Sequence, residues 1–102
     1  ARSRLREAEA ALERERMSKA REVAEAQVKL SESQLNLARQ EEARIGQLID
    51  RKVATASEMD QAVATRLARE AEVDSAKARL EQEMASYATT IQSCEAAVES
   101  AT

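Results

Sequence analysis

Apolar residues recur along this chain at helical spacing in two stretches of about fifty residues, parted by one short break. In the second stretch Val73, Lys77, Leu80, Met84, Tyr87, Ile91, Cys94, Val98 and Ala101 step by alternating fours and threes. That is the two-position seam of a coiled coil held for about four heptads. Traced back toward the break, the stripe passes through the polar Glu70 and Arg66 to Val63 and Met59. The first stretch is less regular. Val23, Leu30 and Leu37 repeat every seven and Leu48 continues the line, while a neighbouring row holds Ala24, Val28, Leu35, Ala38, Ile45 and Ile49. Met17, Leu12 and Leu5 join only with a shift of register, as a stammer would produce.

The break, Arg51-Lys52-Val53-Ala54-Thr55-Ala56-Ser57-Glu58, has the chemistry of one helix ending and another starting. Thr55 and Glu58 have capping-box spacing: the Thr hydroxyl accepts from the Glu58 amide, and the Glu58 carboxylate reaches back to the Thr55 amide. Arg51 and Lys52 sit where cations favour a helix C-terminus. The pattern therefore predicts helices over about 2–50 and 55–101 with a tip at 51–54, folded back as an all-α, antiparallel two-helix coiled-coil hairpin. An antiparallel register with Ile45 facing Met59, Leu30 facing Val73, Val23 facing Leu80 and Met17 facing Tyr87 sets apolar against apolar along both arms. At about 1.5 Å per residue each arm would run roughly 70 Å. Gly46, the one glycine, is read either as permitting a bend or close contact near the tip or as a tolerated surface residue.

Composition narrows the fold further. Half of the hydrophobic residues are Ala, and Tyr87 is the one aromatic, so the chain builds a narrow helix–helix seam rather than a broad core. A net charge of −3 with both signs interspersed argues against a nucleic-acid partner. No apolar run approaches the ~20 residues that span a bilayer. With no His and scattered acids, neither a metal site nor a cofactor is expected. Cys94 lacks a His to act as its base and is read as an inert seam thiol. Lys77 is read as snorkelling from the seam, and Met17, Met59 and Met84 as seam filler. A two-helix rod offers no enclosed cavity, so no catalytic residues and no enzyme activity are expected. The chain opens at Ala1 inside the helical pattern and is read as a segment of a longer protein, which leaves location open.

Around the break, Arg44 is followed by Leu48 four residues on and Thr55 seven beyond that, then by Ala56-Ser57-Glu58-Met59-Asp60-Gln61-Ala62. This resembles the hairpin tip of the membrane fusion proteins, the periplasmic adaptors of haemolysin-secretion type. Their tips commonly carry Arg, Leu and Ser at this spacing, and their second helix opens with a Ser-x-x-Glu-x-Asp-x-Ala-like run. Arg44, Leu48, Glu58, Asp60 and Ala62 match, and Thr55 stands for the Ser, keeping the hydroxyl but adding a methyl. About twenty residues carry the specific likeness. The resemblance implies a hairpin docking by Arg44, Leu48 and Thr55 onto a TolC-like outer-membrane channel. It implies six copies packed side by side as a tube around the export path, and lipoyl-like and β-barrel domains that flank the hairpin and are absent here. It also implies a periplasmic location, with the full-length protein anchored to the inner membrane beside a transporter. The long arms suit a transporter of the ABC or major-facilitator type. The rival reading is a structural coiled-coil stalk or filament segment that self-associates.

Overall fold

A computed structural model describes residues 2–101, apart from the side chains of Cys94 and Ala101. Two helices account for almost all of it: α1, Arg2–Asp50, and α2, Ala56–Ala101. Neither contains Pro, and Gly46 alone interrupts the helix-favouring composition. The chain is an all-α helical hairpin, as its periodicity predicts. It divides into two units, Gln27–Lys77 and Ala1–Ala26 with Ala78–Thr102.

In the unit Gln27–Lys77 the helices run antiparallel. Glu32, Arg39 and Glu42 of α1 pair with Lys77, Glu70 and Arg66 of α2, one series rising as the other falls. The core is a thin seam. From α1 it buries Ser31, Leu35, Ala38 and Ile45, and from α2 Ala62, Val73 and Ala76. Small residues at alternate seam positions let the two backbones come close.

This seam corrects the expected one. The Val23–Leu30–Leu37 line lies outward, at 69%, 52% and 63% exposure, and the neighbouring row is the buried one. In α2, Ala76 is buried while Lys77 and Met84 are exposed. Lys77 reaches Glu32 at 3.8 Å rather than snorkelling from the seam. Flanking side chains reach across the seam in both directions: Arg66 meets Glu42, one turn beyond the expected partner, while Arg69 Nη1 donates to Gln34 Oε1 at 3.4 Å, as the expected register places them.

The seam does not simply weaken near the connection. Polar Glu42 and Arg66 meet there, half-buried, as an ion pair. Arg66 Nη1 also donates to Glu70 Oε1 at 2.8 Å, and Arg39 lies 3.8 Å from the same carboxylate. The hydrogen bond to Glu70 raises the Arg66 pKa above its ordinary value, and the Glu42 carboxylate adds to it. Four alternating charges thus tie the helices together where apolar residues run out.

In the unit Ala1–Ala26 with Ala78–Thr102 the α1 seam runs through half-buried Ala10 and Met17 to buried Ala24, each seven residues from the next. No stammer is needed, and Leu5 and Leu12 are exposed. The guanidinium of Arg21 stacks over the Tyr87 ring, 5.4 Å from its centroid, with Glu25 at 3.9 Å. Tyr87 is therefore a packing residue with a cation as neighbour. The seam positions assigned to Cys94 and Ala101 concern side chains outside the described residues.

Candidate docking surface at the connection

The end of α1 is closed by its own backbone. Lys52 takes a left-handed conformation, with φ 63°. Its amide donates to the Ile49 carbonyl at 2.8 Å, and the Val53 amide donates to Leu48 at 2.8 Å. This pair of bonds is a Schellman closure, which satisfies carbonyls that a helix end leaves open. Ala54 adds a second, longer bond to the Leu48 carbonyl at 3.3 Å. Directly after it Thr55 caps α2: its Oγ1 accepts from the Glu58 amide at 3.2 Å. The reciprocal bond from the Glu58 carboxylate to the Thr55 amide is not among those formed by the described residues. The turn is short because each end is capped at once, by backbone on one side and a hydroxyl on the other.

Arg44 and Leu48 stand one turn apart on the last two turns of α1. Arg44 is exposed but not loose. Its Nε donates to Glu41 Oε2 at 2.9 Å, and its Nη2 donates to Glu41 Oε1. Such two-point pairing fixes a guanidinium in orientation as well as position. It lowers the Glu41 pKa below its ordinary value, the hydrogen bond being the main cause, and raises that of Arg44. Glu58, from the first turn of α2, adds a weaker electrostatic pull on Arg44. A shallow groove of about 380 Å³ opens between the helices here, lined by Glu41, Arg44 and Ile45 on one side and Glu58, Gln61 and Thr65 on the other.

No family model, curated protein or solved structure matches this chain.

Of the three residues singled out from the sequence, Arg44 alone lines the groove. Thr55 is exposed and joins it indirectly, since it holds the amide of Glu58, which is a wall residue. Leu48 is half-buried, and its carbonyl anchors the Schellman closure. Glu41 was not singled out from the sequence. Its signal was there in the Glu-x-x-Arg spacing, since residues three apart share a helix face. Gly46 meets nothing: a Cβ built there has no atom within 4 Å. Among the described residues no group of acids, His or Cys could hold a metal ion, and no helix is long and apolar enough to cross a membrane.

Proposed function

We propose that the connection end of this hairpin is the docking tip of a periplasmic adaptor, meeting a TolC-like outer-membrane channel through Arg44, Leu48 and Thr55. The observation that carries the reading is the Arg44–Leu48–Thr55 spacing on a helical hairpin whose turn is capped on both sides. A partner that docks on a tip needs that tip already ordered, since every segment ordered on binding costs affinity. Here the backbone closure and the Thr55 cap supply that order. Arg44 offers hydrogen bonds to acceptors on the partner's turns, and Leu48 offers an apolar surface beside them.

In this reading the full-length protein sits in the periplasm, anchored to the inner membrane. Neighbouring copies line up as a hexameric tube, and an ABC or major-facilitator transporter supplies the cargo. Exposed Leu30 and Leu37 support side-by-side packing, because two leucines one heptad apart on an outer helix face suit a second helix. The same two residues support the alternative, a self-associating stalk, which has no need of the tip.

The two readings part on substitution. Arg44→Asp or Leu48→Ser should abolish capture of the chain by a purified TolC-like channel while leaving helicity unchanged. Leu30→Asp with Leu37→Asp should disrupt self-association. If both tip variants bind the channel as the unsubstituted chain does, the docking reading is wrong.

A further inference from the structure

We infer that Glu41 is a positioning residue for Arg44, and that the pair presents a guanidinium edge shaped for neutral backbone carbonyls rather than for a carboxylate. This rests on the docking reading above and names what the tip would grip.

The geometry carries it. Glu41 engages Arg44 from the side, through Nε and Nη2, and among the described residues Nη1 makes no hydrogen bond. A guanidinium has five N–H donors. Two are used by Glu41, so three remain, two on Nη1 and one on Nη2. One from each nitrogen lies along the outer edge of the fork, and the second on Nη1 points to the side opposite Glu41. The side chain is 59% exposed, so this edge is open to a partner. An unpaired Arg on a surface samples many rotamers and loses that freedom on binding. Arg44 has already lost much of it to Glu41.

Charge decides the acceptor. Glu41 and Glu58 both act on Arg44, and together the three groups carry one excess negative charge. A partner carboxylate would meet repulsion from Glu58 and a cation already neutralised. A turn or helix end with free carbonyls presents acceptors without a full charge. The remaining donors of Arg44 suit two such oxygens.

The test is a double-mutant cycle on binding of this chain to a purified TolC-like channel in detergent. Glu41→Gln should weaken binding about three- to tenfold, in keeping with the cost of re-ordering one long side chain. In an Arg44→Ala background the same change should have no effect. Glu72→Gln serves as control, since Glu72 makes a similar pair with Arg69 at 2.9 Å and lies outside the groove. It should bind as the unsubstituted chain does. The loss caused by Arg44→Ala should also hold between about 0.05 M and 0.5 M NaCl, over which a charge–charge contact would be screened.

The outcomes separate. If Arg44→Ala weakens binding but Glu41→Gln does not, or does so equally without Arg44, the positioning role is overturned and docking stands. If the Arg44→Ala loss shrinks with salt, the partner supplies a carboxylate and the carbonyl assignment fails. If Arg44→Ala changes nothing, or the unsubstituted chain does not bind, the docking reading itself falls and takes this inference with it.

Discussion

The Lys52 amide donates to the carbonyl of Ile49 at 2.8 Å while Lys52 itself holds φ at 63°. The bond closes α1, but it places a side-chain-bearing residue where glycine is the usual choice. A Cβ in the left-handed region costs on the order of 1 kcal/mol. Lys52→Gly should therefore raise the unfolding free energy by about 1 kcal/mol, less the extra entropy glycine gains in the unfolded chain. Urea titration followed by circular dichroism measures it. A loss of stability would show that the Lys52 side chain contributes more than its backbone strain.

Gly46 invites the opposite change. It lies in the last turns of α1 with ordinary helical geometry, and nothing stands within 4 Å of a Cβ there. Gly46→Ala should stabilise the hairpin by about 1 kcal/mol, the propensity difference between the two residues in a helix interior. A neutral or negative result in the same titration would argue against open space at this position.

Thr55 should be replaceable by Ser but not by Ala. Its hydroxyl accepts the Glu58 amide, one of the donors a helix start leaves unpaired. Thr55→Ala should cost about 1 kcal/mol, and Thr55→Ser should keep most of the cap. Equal stability of all three chains would mean that water serves the Glu58 amide as well as Thr55 does.

Leu35 and Leu37 separate the observed seam from the expected one. Leu35 is 8% exposed and Leu37 63%. Leu35→Ala should cost about 2 kcal/mol or more, by lost burial and the cavity left behind. Leu37→Ala in a dilute sample should stay within about 0.5 kcal/mol of the starting chain. The reverse order in thermal melts would restore the Val23–Leu30–Leu37 line as the seam.

Acid should release Arg44 from Glu41. The hydrogen bond from Arg44 holds the Glu41 carboxyl below its ordinary pKa of 4.5. The contribution of a group lowered on folding is complete above the ordinary value and is lost as pH falls through the folded one. In a carboxyl-resolved NMR titration Glu41 should thus protonate below its ordinary value. Arg44→Ala should raise it. No change on that substitution would mean the pair does not persist in solution. Both groups are exposed, so little global stability rides on the pair.

What the chain determines by itself is local. Helix needs only near neighbours, so the absence of Pro, the Ala- and Glu-rich composition and the heptad spacing make two helices legible. The Thr55 cap is equally legible, because hydroxyl and amide lie three residues apart. The fold-back follows from a single break between two such patterns. Which face of each helix is buried is a different matter. Two apolar rows compete on α1, and neither spacing nor hydrophobicity separates them. Only the route of the connection, closed through Lys52 and reopened at Thr55, rotates α2 onto the row of Leu35, Ala38 and Ile45. Cross-helix pairs such as Glu42 with Arg66 and Gln34 with Arg69 likewise exist only once α2 has returned. Arg44 repeats the lesson at the tip. Its spacing to Leu48 and Thr55 is written in the chain, but its company in the groove came with the fold. Glu58 and Gln61 reach it from the opposite helix, and a contact between separate helices is decided by how they return to one another.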